Sequence, residues 1–221
     1  MGFTVRGTIM QTPGPTKLEV RHGVAVAVND DGIITSIEHA NDVAPLQTVL
    51  LPGLIDTHIH APQWPQLGTG LDLDLESWLF EHTFPLEAKL TDPSFASEVW
   101  PSLVSTLLAH GTTTATYYAT IDVETTTMLA ETCRAAGQRA FVGRVAMDHP
   151  DGTPQWYRDA NAAQGIEASA RSIDAIVALG SDLVQPVITP RFAPACTDEL
   201  LRGLGELASS TGVRVQTHCS E

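Results

Sequence analysis

The sequence predicts an α/β chain, a small all-β segment followed by a parallel sheet with crossover helices, and three observations predict it. Residues 1–50 carry short alternating apolar runs, TVRGTIM, GVAVAV and IITSIE, with NDDG between the last two. From Leu51 onward, strand-like and helix-like segments alternate, the pattern of β/α units. No glycine-rich dinucleotide fingerprint follows the first of these strands, which disfavours one large class of open α/β sheets.

Each element has a local reason. NDDG between two β-rich runs is a hairpin signal, and no helix is expected before residue 50. Strands are expected at 54–60, 113–119, 139–146, 183–189 and 213–218. A long loop after the first strand holds His82, a lesser candidate than the strand-end histidines that either reaches a pocket mouth or plays no part in the site, and Trp64, Trp78 and Phe84, which either form an apolar lid or pack the loop down. Helices follow at 96–110, 125–136, 162–179 and 197–209. His110 stands where a helix C-terminus favours a cation, and Gly111 and Gly137 fit the residue after a helix end. His22, His39 and His149 lie in turn-like or polar settings and are expected to be exposed. Five strand–helix units fit either a doubly wound open sheet or part of a barrel, which needs about eight.

Composition narrows the class. The 221 residues suit one large domain or two small ones. No stretch reaches the roughly 18–20 apolar residues of a membrane helix, and MGFTVRGTIM reads as a strand rather than a signal peptide. The formal charge of -14 repels phosphate backbones and argues against polymeric nucleic acid as a partner. Cys133, Cys196 and Cys219 are odd in number and widely spaced, which favours reduced thiols in a cytoplasmic protein.

The chemistry-bearing residues collect at predicted strand ends. Strict alternation in LIDTHIH puts Ile55, Thr57 and Ile59 on one face, able to pack on helices, and Asp56, His58 and His60 on the other. Two imidazoles two residues apart on a strand can reach one ion at about 2.0–2.1 Å each. In VRVQTHCSE, Arg214, Gln216 and His218 share a face, and Glu221 follows in the turn. His218 can complete a three-histidine set, and a carboxylate such as Glu221 can move protons beside a bound water. Cys219 points the other way. VITPRFAP ends the fourth strand at Pro190 and places Arg191 and Phe192 on the same rim, a guanidinium fork and a ring suited to a flat heteroaromatic ligand. Functional residues at several strand ends favour the barrel.

At this point the motifs resemble a known family. PGLIDTHIH resembles the first-strand signature of the amidohydrolase superfamily. HAPQ, SWLFEHTFPLE, GTTTATYYATI, GQRAFVGRVAMD, TPRF and THCSE, in that order to residue 221, are similar to the guanine deaminases within it. The resemblance implies a (β/α)8 TIM barrel of amidohydrolase type over 51–221, truncated after the fifth strand, with residues 1–50 forming part of a small β-sandwich. It implies His58, His60 and His218 as zinc ligands, Gln63, Arg191, Phe192 and His218 as the residues that meet the purine, and Glu221 as the proton shuttle. The implied reaction is hydrolytic deamination of guanine to xanthine and ammonia by a cytoplasmic enzyme that is a homodimer at full length. Two-metal relatives bridge their ions with a modified lysine on the fourth strand. No lysine follows Lys89 here, so one ion is expected, zinc by resemblance, although imidazole also suits iron(II).

The same resemblance requires a further histidine from a sixth strand and an aspartate from an eighth, both beyond Glu221. Residues 1–221 are therefore expected to be a fragment or one piece of a split protein, and to be without turnover alone. A related hydrolase acting on a triazine, cytosine or adenosine-like ring is the nearest alternative, and Arg191–Phe192 tilts the reading to guanine. A catalytically dead barrel paralogue is a second, set against the retained histidines. The unrelated cytidine-deaminase type needs a Cys-x-x-Cys pair that the sequence lacks.

Overall fold

The computed structural model describes residues 2–41 and 48–218. Contacts divide the chain into two units, between Gly53 and Leu54. The first unit is a four-stranded sheet in the order β3-β2-β1-β4, built from β1 (Phe3–Gly14), β2 (Lys17–Val28), β3 (Ile34–His39) and β4 (Val49–Leu50). β1 and β3 pair antiparallel with β2, and β4 pairs parallel with β1. The NDDG turn joins β2 to β3. Asn29 accepts from the Gly32 N–H through its carbonyl and from the Asp31 and Ile33 N–H groups through its side chain, and Gly32 takes a φ of +77°, the left-handed conformation such a turn needs. β2 begins six residues before GVAVAV, because a tight connection between Gly14 and Lys17 extends the first hairpin. His22 and His39 accordingly lie on β2 and β3 rather than in turns. Ile9, Val24 and Val26 form this unit's core.

The second unit carries a parallel sheet in the order β5-β6-β7-β9, made of β5 (Leu54–His60), β6 (Thr112–Tyr118), β7 (Arg139–Gly143) and β9 (Val184–Pro186). β8 (Val145–Ala146) pairs in parallel with β10 (Thr189–Pro190) and carries the ladder on to the strand ends. Sequential strands are always neighbours, and the order never reverses. That is the singly wound progression of a barrel wall, whereas a doubly wound sheet reverses at its switch point. The expected strand at 213–218 appears only as two parallel bridges, Ile188 with Val215 and Phe192 with His218. The alternation expected there still holds: Arg214 lies over the Phe141 ring, Gln216 donates to Thr189 Oγ1 and the Tyr117 carbonyl, and Val215 is exposed.

Four long helices lie between the strands, each capped as its sequence requires. α3 (Pro93–Ala109), after the two short helices described below, opens on Asp92. α4 (Val123–Ala136) opens on Asp122, α5 (Ala162–Val177) on Asn161 and α6 (Asp198–Thr211) on Thr197, every cap accepting a backbone N–H of the first turn. Gly137 and Gly212 close α4 and α6 in the left-handed conformation. Trp100, Leu103 and Val104 of α3 and Leu129, Ala130 and Cys133 of α4 bury themselves against Ala115 and Tyr117 of β6 and Ala140 and Val142 of β7. Burial holds the Cys133 thiol up to about 12, which leaves it an unreactive packing residue. No helix among the described residues is long and apolar enough to cross a membrane.

The segment expected to be a long loop is largely helical. It runs from a 3-10 turn over Ala61–Gln66 to α1 (Leu75–Trp78), a π-helical turn over Leu79–Thr83 and α2 (Phe84–Lys89). Prolines at 62, 65 and 85 masked the helical signal, yet two of them sit at helix starts, where a missing N–H costs nothing.

The end of β7 and the segment from Val187 to Thr189 of β10 approach too closely for a side chain at Gly143. A Cβ there would overlap Thr189 Oγ1 and the Val187 carbonyl. Gly143→Ala is expected to cost about 1–3 kcal/mol through overpacking, read as a lower urea midpoint at unchanged slope.

Candidate active site

β5 delivers His58 and His60, but not by strict alternation. Its pairing with β6 slips between Asp56 and Ile59, so three steps on β5 match two on β6. This is a bulge, a device that re-aims side chains beside functional sites. Asp56 consequently pairs with Ala115, on the helix side, and its carboxylate accepts from the His58 N–H at 3.0 Å. The expectation that Asp56 shares a face with both histidines fails for this reason. Ile59 packs on the helix-side core as expected, while Ile55 is 69 % exposed on the outer strand of the sheet.

Three imidazoles meet at the strand ends. His60 Nε2 lies 3.0 Å from His218 Nε2, and His218 Nε2 lies 3.2 Å from His58 Nε2. One nitrogen from each ring falls within 4.8 Å of the others. The His218 Nδ1 faces the Arg191 carbonyl at 2.5 Å. A carbonyl only accepts, so Nδ1 carries the hydrogen and a neutral His218 presents a bare Nε2 to its two neighbours. Burial, and then the positive charge of Arg191, hold the His60 pKa well below 6.5 and keep its ring neutral. Nitrogens bound to one zinc at about 2.0–2.1 Å in a tetrahedron stand roughly 3.3 Å apart. The spacing, the neutral His60 ring and the His218 tautomer therefore fit a shared cation. Tyr118, paired with His60 across the sheet, stacks on it at 4.5 Å and lies 4.9 Å from His58.

A cleft of about 130 Å³ opens beside the rings, lined by His60, Gln63, Leu75, Trp78, Leu79, Arg191, Phe192 and His218. Gln63, Arg191 and Phe192 thus share one wall system with two of the clustered histidines, His60 and His218. Arg191 is 1 % exposed. Its two terminal nitrogens fork onto the Glu87 carboxylate, and its guanidinium carbon sits 4.9 Å above the Phe84 ring. Of the three aromatic residues considered as a lid, Trp78 lines the cleft, with its Nε1 donating to the Thr69 carbonyl. Trp64 packs against the helix-side core, and Phe84 is fully buried. His82 is not among the lining residues. Glu221 and Cys219 lie outside the described residues.

Sequence reasoning missed Glu87 and Tyr118, and weighed Phe84 only as a lid or loop-packing residue, not as the ring beneath Arg191. Phe84 and Glu87 are three apart on α2 and share a face, a signal available only once that segment is known to be helical.

The chain belongs to the amidohydrolase family, whose profile matches residues 49–221. Members of that family are typically metal-dependent hydrolases. Within it the chain is similar to guanine deaminases. It is 39 % identical to the guanine deaminase of Dictyostelium discoideum, over 98 % of this chain and 53 % of that protein. It is 45 % identical to a probable guanine deaminase of Schizosaccharomyces pombe, over 80 % of this chain and 33 % of that protein. A crystal structure of guanine deaminase from C. acetobutylicum with guanine bound in the active site superposes with a TM-score of 0.85 at 30 % identity, covering 100 % of this chain and 54 % of that one. The chain therefore spans about half the length, or less, of these relatives.

The Arg191–Glu87 pair is a structural liability if halved. Glu87→Ala would strand a buried guanidinium and is expected to cost about 3–5 kcal/mol of stability, measured by denaturant unfolding.

Proposed function

We propose that this chain forms the metal- and purine-binding part of a guanine aminohydrolase that releases xanthine and ammonia. The observation that carries the reading is the convergence of His58, His60 and His218 nitrogens at the rim of the cleft that Gln63, Arg191 and Phe192 line. The similarity to guanine deaminases supports the choice of ring.

In this reading His58, His60 and His218 hold one zinc ion, with iron(II) as the alternative for an all-imidazole set. Zinc bound there supplies the Lewis acidity that makes water a usable nucleophile near neutral pH. Gln63 offers an amide that can both donate to and accept from a purine edge. The buried guanidinium of Arg191 donates in a fixed plane, and Phe192 supplies an apolar flank for a flat ring. The His218 Nδ1–H, held by the Arg191 carbonyl, keeps its Nε2 turned to the ion. Glu221 takes a proton from water and returns it to the ring nitrogen next to the carbon that bears the amine, while the water oxygen bonds that carbon; the second water proton then passes to the amine, and the C–N bond breaks so that ammonia departs as the carbonyl of xanthine forms. A further histidine and an aspartate from beyond residue 221 complete the set, and the full-length enzyme works as a cytoplasmic homodimer.

Two substitutions in the full-length protein separate the roles. His58→Ala is expected to lose bound metal and xanthine production together. Glu221→Gln is expected to keep the metal, by elemental analysis, while turnover falls by at least about 100-fold. Near-normal turnover of the latter removes the proton shuttle from Glu221.

A further inference from the structure

The cleft contains one side chain whose charge cannot be titrated away. Arg191 stays protonated at any working pH, and among the described residues that line the cleft there is no carboxylate. A buried guanidinium beside a metal ion would draw in anions strongly, because a low-dielectric wall screens little. Behind that wall, α2 answers the charge. Glu87 is fully buried and accepts from both terminal nitrogens of Arg191, and Phe84, one helical turn earlier, lies under the guanidinium plane. A fork-to-fork pair fixes both the plane and the direction of the remaining N–H groups. Glu87 touches no ligand itself: Leu75, Trp78 and Leu79 belong to the same helical segment and line the cleft, and Glu87 does not.

We propose that Glu87 is a positioning residue which, by neutralising and aligning Arg191, makes the cleft select neutral purines over anionic ones. The proposal rests on the reading of the cleft as a purine site. The Arg191–Glu87 unit offers directed hydrogen-bond donors without net charge, which suits the amide edge of a neutral oxopurine. It also lowers the affinity for a deprotonated product or a phosphorylated precursor, either of which a naked arginine would retain.

The test uses the metal-loaded full-length protein and two ligands of one shape class, hypoxanthine, which is neutral at neutral pH, and urate, which is a monoanion. Affinities are read by calorimetry, alongside kcat and KM for guanine. Glu87→Gln keeps the shape and removes the charge. It is expected to raise KM for guanine about tenfold with kcat and metal content within about twofold. It is also expected to shift the urate-to-hypoxanthine affinity ratio toward urate by about tenfold. Glu87→Asp keeps the charge and shortens the reach. It is expected to raise KM while leaving that ratio at its original value. An unchanged ratio in Glu87→Gln overturns the proposal, and so does a ratio in Glu87→Asp that moves as far as in Glu87→Gln. Should the glutamine variant fail to fold, the aspartate variant decides, because an unchanged KM there removes the positioning role. Failure of the unsubstituted protein to act on guanine would overturn the purine assignment instead, and the calorimetric ratio still judges Glu87.

Discussion

A guanidinium buried to 1 % exposure has to be answered, and much of the site follows from how this chain answers it. The Glu87 carboxylate and the Phe84 ring hold the Arg191 side chain from behind, while the Arg191 carbonyl holds His218 from the front. One residue thus links the helical segment after the first barrel strand to the last described turn. The backbone path that places Arg191 is itself fixed by the β8–β10 pairing and by the Arg191 N–H donating to the Ala146 carbonyl. The histidine cluster and the cleft wall are consequently parts of one packed unit.

The singly wound sheet explains why residues so far apart in sequence can meet. Parallel strands connected by helices present all their C-terminal ends on one side. His60 at the end of β5, Tyr118 at the end of β6 and Arg191 just after β10 therefore share a rim. Tyr118 stacks on His60, and Tyr117, one residue earlier, points the other way and donates to Gln138 in the helix-side core. Alternation along a single strand separates the chemistry from the packing.

Much of this was legible in the sequence. The first barrel strand lies at 54–60 as expected, and Gly137 and the histidine at 110 mark helix ends where the pattern put them. Gln63, Arg191, Phe192, His60 and His218, each singled out from the sequence, line one cleft, whereas His58 meets the other two rings outside its lining. What could not be read has physical causes. A bulge is a register fact between two strands, so the departure of Asp56 from the histidine face left no trace in LIDTHIH itself. The short helices between 61 and 90 are held by tertiary packing around Phe84 and Leu79 rather than by local propensity. The pairing of Glu87 with Arg191 spans 104 residues, and no single-sequence pattern encodes a contact at that range. The fifth strand forms only bridges among the described residues, although its side chains alternate as a strand would.

The hydrogen bond that orients His218 comes from a peptide group, not from a side chain. Every amino acid carries that carbonyl, so exchanging the residue at position 191 replaces the group lining the cleft and leaves the imidazole's anchor standing. Side chain and backbone of a single position thereby do separate work. A lineage built on this scaffold could reshape the cleft there and keep the histidine cluster, provided that Glu87, buried behind Arg191, changes with it.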